Sequence, residues 1–556
     1  MSAVGGAGAG RTVGASPGPV GGLGLTVLTP AGSEYTATLA GLVKDRVASK
    51  MTAQDATLWG PAAESEAAVR LSWVSLAATS QPLVAEIAAL REQLLAEGLD
   101  HVVLAGMGGS SLAPEVICKT AGVPLVTLDT TDAGQIRAAL GEDLNRTVLV
   151  VSSKSGGTVE TDSHRRAYEK AFDEAGIDFR QRIVVVTDPG SPLQQTAAGA
   201  GYRKVFLADP DVGGRYSALT AFGLVPAGLA GADVAALLAD AAAVSDLLAS
   251  DSDDNPAARL GALLGCAHNA GHDKVVFADF GSGIPGFGDW VEQLIAESTG
   301  KLGRGLLPVV VEGPSAPGFA DAGADAVLIH VGGHDEAYQP ASGWAAGVAG
   351  PLAAQMLVWE YATAIAGRII GINPFDQPDV EEAKKQARAL LDAPGGDQQA
   401  AADLTDGPVR VSAIGFDLGG GATLADALAA FFTAAPASGY VAVQAYLDRT
   451  ADLAAPTLRA AVAARTRLQT TFGWGPRFLH STGQYHKGGH PNGAFLQITG
   501  DVAQDLPVPG RPYTFAGLQS AQAAGDAAVL ADRGRPVLRL HLTDRAAGLK
   551  KLLESL

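Results

Sequence analysis

Short hydrophobic runs, separated by turns and helical stretches, set the pattern of this chain. From residue 101 the runs HVVLAG, PLVTLD, TVLVVSS, RIVVVTD and KVFLAD follow one another, and each is apolar at almost every position. Strands that are apolar on both faces are typical of parallel sheets covered by helices on both sides. The alternation of strand and helix therefore predicts a doubly wound α/β domain over about 101–250.

Two further sets of apolar runs follow. DKVVFADF, LLPVVVEG and DAVLIHVGG precede a long helical stretch, QMLVWEYATAIAGRII, and predict a second α/β domain over 251–395. The runs VRVSAIG, YVAVQAYL, AFLQITG and PVLRLHL predict a smaller α/β domain over 396–556, after a polar linker at 392–408. Residues 35–100 have helical spacing and are expected to pack on these domains. Residues 1–34 begin with a Gly/Pro/Ser-rich stretch and are interpreted as a flexible segment.

Charge and composition narrow the range of functions. The formal net charge is −18 over 556 residues, which argues against a nucleic-acid-binding protein. The longest apolar stretches are broken by aspartates such as Asp233 and Asp240, so we expect no membrane span and a cytoplasmic protein. The two cysteines, Cys118 and Cys266, stand in apolar stretches, which favours buried thiols over a disulfide or a metal site.

Two predicted strands end in loops that suit a phosphate. The first strand runs into Gly106, Gly108 and Gly109, followed by Ser110 and Ser111. Glycines let a backbone approach an anion closely, and N–H groups at a helix start can bind it. The spacing matches neither a Walker loop nor the dinucleotide pattern, and a simple tight turn is the alternative.

The second loop follows the strand TVLVVSS. It places Ser153, Lys154, Ser155 and Thr158 ahead of a probable helix. Hydroxyl groups and a cation at this position form a phosphate cradle by the same physics, although helix N-caps alone remain an alternative. Because both loops follow strands of one parallel sheet, we expect them to converge at its carboxyl edge and to bind a monophosphate.

Four other segments carry candidate chemistry. Arg215 follows two glycines, where its guanidinium is able to face an oxyanion; a surface arginine is the alternative. Glu297 lies near a helix end, and Lys384 and Lys385 lie on a probable helix after an irregular loop, so each could equally be solvated. His480, His486 and His490 fall within a Gly-rich segment. A metal site is one interpretation of these histidines, and acid–base chemistry by one of them is favoured.

Five motifs resemble those of the phosphoglucose isomerase family, which is built from two sugar isomerase (SIS) domains. In the family's order they are GMGGSSLAPEV, SSKSGGTVET, VGGRYSALTAFGLVP, QLIAESTGK and NPFDQPDVEEAKK. The sequence most resembles a bacterial form that occurs fused to transaldolase. The transaldolase part is a barrel of about 250 residues, and the predicted domains leave no stretch of that length for it. The resemblance implies two SIS-type three-layer αβα domains with parallel sheets, plus a smaller C-terminal α/β domain.

The resemblance also implies a role for each matching residue. The sugar phosphate would be bound by Gly109, Ser110, Ser153, Lys154, Ser155 and Thr158. Arg215 would stabilise the negative charge of an enediolate, and Glu297 would move a proton between C2 and C1. Gln377 would contact the substrate, and Lys384 would assist ring opening or binding. The implied reaction converts glucose 6-phosphate to fructose 6-phosphate without a cofactor or a metal.

One departure from the family concerns the histidine that opens the sugar ring. In the family it lies between the base and the lysine and comes from a neighbouring subunit. Here only His330 and His334 stand between Glu297 and Lys384, on a strand and its end. Our hypothesis is that the C-terminal domain supplies this histidine, with His486 as first choice and His480 as second. The protein would then act as a homodimer or a monomer.

Two alternatives remain open at this point. One is a broader isomerase that also accepts mannose 6-phosphate, a choice that the pocket around Thr158 and Gln377 would decide. The other is a non-catalytic sugar-phosphate sensor, because SIS domains also serve as regulators. A sensor needs the phosphate loops but not Glu297, Arg215 and Lys384 together, so the sequence favours the enzyme.

Overall fold

The structure, a computed structural model, describes residues 11–13, 21–379, 385–386, 391 and 402–556. Three β-sheets organise these residues, and helices lie between the strands along the chain. The predicted α/β class with SIS-type domains is confirmed. Within the described ranges, no helix is both long and apolar enough to cross a membrane.

The first sheet has five strands, all parallel. In spatial order they are Val126–Leu128, His101–Ala105, Thr147–Ser152, Ile183–Thr187 and Lys204–Leu207. Every residue of Thr147–Ser152 is buried, which explains the continuous apolar run in the sequence. The helices of this part are Leu112–Ala121, Ala133–Gly141, Val159–Glu174, Pro192–Ala200, Ala221–Ala230 and Val234–Ala249.

The second sheet has six strands, and four of them are parallel. In spatial order they are Arg11–Val13, Gly24–Thr29, Ala345–Ala349, Ala326–Val331, Lys274–Asp279 and Leu307–Val310. The first two run antiparallel to their neighbours. The strand Gly24–Thr29 lies in the segment interpreted as flexible, so that interpretation is wrong for these residues. The helices of this part are Pro256–Asn269, Phe287–Thr299 and Leu352–Ile370.

The region 35–100 contains a series of helices. They are Tyr35–Lys44, Val47–Thr52, Pro61–Ala67, Leu76–Thr79 and Gln81–Ala96. Their apolar sides share one continuous hydrophobic core with the first two sheets, as the burial of Trp73, Leu104 and Trp359 illustrates. The thiols of Cys118 and Cys266 are both free and buried.

The third sheet forms the C-terminal domain. Its spatial order is Leu404–Asp406, Val409–Ile414, Val537–Leu542, Gly493–Gly500, Tyr440–Tyr446 and Gln469–Trp474. Its helices are Leu424–Ala434, Thr457–Thr466, Gly483–Gly488, Phe515–Asp532 and Arg545–Ser555. Tyr485 and Phe495 of this domain share a buried cluster with Val276 and Leu328 of the second sheet. The C-terminal domain is therefore joined to the second sheet by a hydrophobic interface.

Candidate active site

The first glycine-rich loop packs tightly against the turn that carries Arg215. A 3-10 turn, Gly108–Ser110, follows the strand His101–Ala105. A Cβ atom on Gly109 would lie 1.9 Å from the carbonyl oxygen of Gly214, so only glycine permits this approach. Ser110 is buried beside it. The loop thus brings its polar atoms close to the Gly214–Tyr216 turn, as the prediction of a binding loop requires.

The second loop gathers hydroxyl groups ahead of a helix. The Oγ atom of Ser153 lies 3.0 Å from Oγ1 of Thr158 and accepts a hydrogen bond of 3.2 Å from the N–H of Gly156. The helix Val159–Glu174 begins directly after Thr158, so its unpaired N–H groups face this loop. Ser155 is exposed at the rim, and its Oγ accepts from Gly157 N at 3.2 Å. The arrangement is suited to binding a phosphate group.

Lys154 points away from these hydroxyl groups. Its Nζ donates to Oδ2 of Asp188 at 2.6 Å and to the carbonyl oxygen of Pro210 at 3.0 Å. Burial raises the pKa of Asp188 even though the ammonium group is adjacent. In this structure Lys154 therefore anchors the loop from its side, and its predicted position close to the phosphate stays a prediction.

Arg215 and Glu297 meet at the centre of the candidate site. Nη1 of Arg215 lies 3.6 Å from Oε2 of Glu297, and both side chains are buried. Glu297 lies in the last turn of the helix Phe287–Thr299, and Arg215 donates from Nε to Oγ of the adjacent Ser298 at 2.8 Å. The guanidinium is therefore held in one orientation beside the carboxylate, as a preorganised cation must be.

A loop at 373–377 closes over this pair. Nη1 of Arg215 donates to Oε1 of Gln377 at 2.7 Å, and Nη2 donates to the carbonyl oxygen of Pro374 at 2.6 Å. This places the predicted substrate contact Gln377 next to the predicted cation. The other lysine of the prediction, Lys384, lies outside the described residues. Its neighbour Lys385 is exposed.

Lys301 is a buried cation that the sequence reasoning gave no role. Its Nζ lies 2.7 Å from the carbonyl oxygen of Asn373 and 2.7 Å from Oδ1 of Asp376, so it also holds the loop 373–377 in place. Burial, together with the charge of Arg215, lowers the pKa of Lys301 to about 8. Its position four residues after Glu297, inside the motif QLIAESTGK, was the available signal.

His480 reaches the site from the C-terminal domain. Its Nε2 lies 3.1 Å from Oε1 of Glu160, which is in the first turn of the helix after the second loop. Its carbonyl oxygen accepts a hydrogen bond of 2.9 Å from Nε2 of Gln293, and the same nitrogen is 3.4 Å from Oε1 of Glu297. Gln293 thus links the segment of the histidine to the candidate base.

Glu160 and its second partner were missed by the sequence reasoning as site residues. Oε1 of Glu160 also accepts a hydrogen bond of 2.6 Å from Nε2 of Gln522, which comes from the C-terminal helix Phe515–Asp532. A carboxylate that is buried and multiply hydrogen-bonded can hold an imidazole in a fixed tautomer and orientation. The available signal for Glu160 was its position inside the motif SSKSGGTVET, whereas Gln522 stands in none of the five motifs.

The two candidate histidines differ in their surroundings. His486 is buried, and its ring lies against Tyr440, Phe478 and Phe495. Burial, with the charge of Lys487 next to it, lowers the pKa of His486 well below its usual value. A neutral imidazole in an aromatic cluster is typical of a core residue, which favours His480 over His486 as the candidate histidine.

The third histidine of the segment faces elsewhere. Nε2 of His490 lies 3.8 Å from Oδ2 of Asp273, and its ring lies against His268. His480, His486 and His490 therefore contact three different sets of residues, although they are close in sequence. They do not converge on one point, which is the arrangement that a shared metal ion would need.

Comparison with known proteins connects this geometry to a family. A family model described as phosphoglucose isomerase matches residues 92–313. A probable glucose-6-phosphate isomerase of Natronomonas pharaonis is 30% identical over 358 residues, which cover 56% of this chain and 83% of that protein. The chain belongs to the phosphoglucose isomerase family. A second member of the family, the glucose-6-phosphate isomerase of Synechococcus elongatus, is 30% identical over 371 residues, or 56% of this chain and 70% of that protein.

Solved structures agree with the assignment to the phosphoglucose isomerase family at the level of the fold. A hypothetical protein of Thermus thermophilus has a TM-score of 0.57 and 25% identity, over 66% of this chain and 100% of that one. A glucose-6-phosphate isomerase of Chlamydia trachomatis has a TM-score of 0.56 and 18% identity, over 68% of this chain and 90% of that one. Both matches leave about a third of the present chain uncovered.

Proposed function

We propose that this chain is a glucose-6-phosphate isomerase, which interconverts D-glucose 6-phosphate and D-fructose 6-phosphate in glycolysis and gluconeogenesis. The observation that carries the proposal is the buried pairing of Glu297 with Arg215, at 3.6 Å, beside a histidine–carboxylate pair. Isomerisation needs a base near the carbon acid and a cation near the developing oxyanion. It also needs an acid–base group at the ring oxygen and its hydroxyl group.

The substrate is anchored by its phosphate group. Ser110, Ser153, Ser155 and Thr158 supply hydroxyl groups, and the start of the helix Val159–Glu174 supplies N–H groups and a favourable dipole. This anchoring fixes the sugar carbons relative to Glu297. Fixing the reacting atoms in this way supplies a large part of the rate enhancement, because the entropy of alignment is lost on binding.

His480 is the residue that opens the ring. Its imidazole transfers a proton between the ring oxygen and the C1 hydroxyl, and Glu160 orients the imidazole through the contact at 3.1 Å. Gln522 keeps Glu160 in place from the opposite side. The histidine, its carboxylate and the carboxylate's partner together form a short chain of side chains across the domain boundary.

Glu297 performs the proton transfer on the open-chain sugar. It removes the proton from C2, which leaves an enediolate, and it returns the proton to C1. The negative charge that develops on the oxygen is stabilised by Arg215, whose guanidinium Ser298, Pro374 and Gln377 already hold in place. No electron leaves the substrate, so the reaction needs no redox cofactor.

The histidine of this site belongs to the same chain as the base. Glu160 and His480 are in direct contact within one chain, which also carries Glu297, so each protomer would supply both the histidine and the base. We expect the isolated monomer to be active for this reason. This differs from the family arrangement in which the neighbouring subunit supplies the histidine.

A non-catalytic sensor is the less favoured alternative. Binding a phosphate needs only the two loops, whereas this site also pairs Glu297 with Arg215, the two groups that proton transfer through an enediolate requires. Whether the enzyme also accepts mannose 6-phosphate depends on the shape of the pocket around Thr158 and Gln377.

A coupled assay tests the proposal. Fructose 6-phosphate is supplied in the presence of EDTA, and glucose 6-phosphate is detected. We expect turnover by the wild-type chain, a loss of about 10²–10⁴-fold in kcat for Glu297→Gln, and no loss for the control Glu336→Gln, which changes an exposed glutamate. Unchanged turnover in Glu297→Gln would refute the proposed mechanism.

A further inference from the structure

A second polar cavity lies in the C-terminal domain, apart from the candidate active site. Its volume is about 710 Å³, and it lies between one face of the third sheet and the helix Phe515–Asp532. Its lining includes Arg410, Ser412, Arg539 and Gln519. None of its lining residues belongs to the loops, the base or the histidine described above. The isomerase mechanism therefore leaves this cavity without a role.

The strand register shows that the polar lining is built into the sheet. Arg410, His541 and Thr499 are cross-strand neighbours, and Ser412, Arg539 and Gln497 form the next row. Side chains two positions apart on a strand share a face, so both rows point to the same side. The intervening residues, such as Val411, Leu538 and Leu540, form the hydrophobic core on the opposite side.

A polar sheet face beneath a helix is unusual, because this position is normally filled by apolar side chains. Two side chains that line the cavity, Arg539 on the sheet and Gln519 on the helix, have donors that the described part of the chain leaves unused. Arg539 donates only from Nε, to Oε1 of Gln497 at 2.9 Å, and its terminal nitrogens have no partner among the described residues. Nε2 of Gln519 is buried without a partner there, in a side chain that is 5% exposed.

The unused donors favour a negatively charged ligand. Burial lowers the pKa of Arg539, because desolvation disfavours its charged form. A phosphate group would supply acceptor oxygens to the guanidinium and to the amide of Gln519. Asp501 and Asp505 also line the cavity, and carboxylates there can accept hydrogen bonds from hydroxyl groups.

We propose that this cavity binds a phosphorylated polyol or sugar as an effector, with its phosphate at Arg539 and its hydroxyl groups toward Asp501 and Asp505. A connected set of hydrogen bonds leads from the cavity to the active site. Nε2 of Gln497 donates to the carbonyl oxygen of Ala523 at 2.8 Å. The preceding residue, Gln522, is the one that donates to Glu160.

The effector therefore acts on the helix that positions the carboxylate of the histidine pair. This second part rests on the proposed function, whereas binding in the cavity does not. A ligand bound to Arg539 would shift its guanidinium and therefore Gln497, which accepts a hydrogen bond from Arg539. Gln497 in turn contacts Ala523, so the shift reaches the helix Phe515–Asp532. An effect of this kind requires that the ligand favour one position of the helix over another.

Calorimetric titration with ribitol 5-phosphate tests the binding. The active-site loop is first weakened by the double change Ser153→Ala and Thr158→Val, so that remaining binding reports the cavity. Adding Arg539→Gln to this variant is expected to raise Kd by about tenfold or more, because charge-assisted hydrogen bonds are lost. Gln519→Leu is a second, milder test of the same site, and Arg180→Gln, which changes an exposed arginine, is the control.

The outcomes separate clearly when thermal unfolding confirms that each variant is folded. Binding that survives the loop changes and is weakened by Arg539→Gln or by Gln519→Leu supports the cavity site. Binding that disappears with the loop changes alone, or that ignores both cavity variants, overturns it. Neither result depends on isomerase activity, so a failure here leaves the proposed function untouched.

Amide hydrogen exchange tests the connection to the active site in the same loop-weakened variant. We expect ribitol 5-phosphate to change exchange in the helices Phe515–Asp532 and Val159–Glu174. Gln497→Leu should remove the change in Val159–Glu174 and leave only a change near Gln519, where the helix Phe515–Asp532 itself lines the cavity, because it breaks the link to Ala523. No change in Val159–Glu174 on saturation with the probe would overturn the proposed transmission.

Discussion

The imidazole of His480 and the carboxylate of Glu160 are in contact at 3.1 Å, although 320 residues separate them along the chain. One belongs to the C-terminal domain and the other to the helix after the second phosphate loop. The third domain is therefore part of the candidate active site. Its fold positions one histidine, which supports our hypothesis that a C-terminal segment of the same chain supplies the group that opens the ring.

Replacing His480 separates ring opening from proton transfer. We expect His480→Ala to lose about 10²–10⁴-fold in kcat with the closed sugar, as for other general acid–base groups, and far less with an open-chain analogue. The measurement compares both substrates at saturating concentrations. His486→Gln is the control for a buried histidine. We expect its activity to fall only in proportion to the fraction of protein that is unfolded. Equal losses on both substrates in His480→Ala would remove this assignment.

Glu160 and His480 are expected to act as one unit. Glu160→Gln keeps the shape of the side chain but removes its charge, so it should lower kcat on the closed sugar and spare the open-chain analogue. In a double-mutant cycle the loss in the double variant should be close to that of His480→Ala alone. Additive losses would mean that Glu160 acts on the substrate independently of His480.

The sequence predicted those parts of the fold that are set by local pattern. The strand Thr147–Ser152 is buried throughout, and its unbroken apolar run identified it. The strand Ala345–Ala349 was missed because alanine and glycine rarely indicate a strand, and its pairing with Ala326–Val331 and Gly24–Thr29 decides its structure. The strand Gly24–Thr29 was missed because the flexible segment, which the Gly/Pro/Ser-rich composition of the first two dozen residues indicated, was taken to run on to residue 34.

The candidate site was predictable where residue type and motif coincide. Arg215 and Glu297 were predicted and lie together. Lys301 and Gln522 were not assigned roles, because their contacts join segments far apart in sequence. The choice between His480 and His486 depended on which one is buried. Two histidines six positions apart in a Gly-rich segment give no local pattern that settles it.

Lys301 predicts an alkaline limit to activity. Its pKa is lowered from 10.5 to about 8, so above pH 8 it loses the charge that holds Asp376 and the loop over Arg215. We expect kcat/KM for the isomerase reaction to fall as pH rises through about 8. In Lys301→Arg, whose side chain stays charged, the fall should move to higher pH. An unchanged profile in Lys301→Arg would contradict the role of this lysine.

Stability should respond to Lys301 in the opposite direction. Between about pH 8 and 10.5 the unfolded chain retains this proton while the folded chain has lost it. The unfolded state then binds more protons, so this group makes the free energy of unfolding rise with pH in that interval. Denaturant unfolding of wild type and Lys301→Met across the interval tests the sign. The stability difference between the two should shift toward the wild type as pH rises.

Arg477 joins the turn Arg477–His480, which carries the candidate histidine, to the first domain. Replacing Arg477 should therefore lower the free energy of unfolding. Nη1 of Arg477 donates to Oε2 of Glu115 at 2.6 Å and to Oδ2 of Asp129 at 2.7 Å, and all three side chains are buried. Burial alone raises the pKa of Glu115, but the guanidinium groups of Arg477 and Arg449 lower it well below its usual range. Arg477→Met leaves two buried carboxylates with less compensation, and we expect a destabilisation of about 3–5 kcal/mol.

The pH dependence of this loss identifies its origin. A carboxyl whose pKa is lowered by folding stabilises the protein above its unfolded value of 4.5, and this contribution disappears as pH falls through the folded pKa. In Arg477→Met the pKa of Glu115 should rise, so the carboxyl becomes neutral more readily in acid. The difference in the free energy of unfolding between wild type and Arg477→Met should therefore shrink below about pH 4.5. A difference that stays constant from neutral pH to pH 3 would show that lost packing of the arginine stem, rather than charge, is responsible.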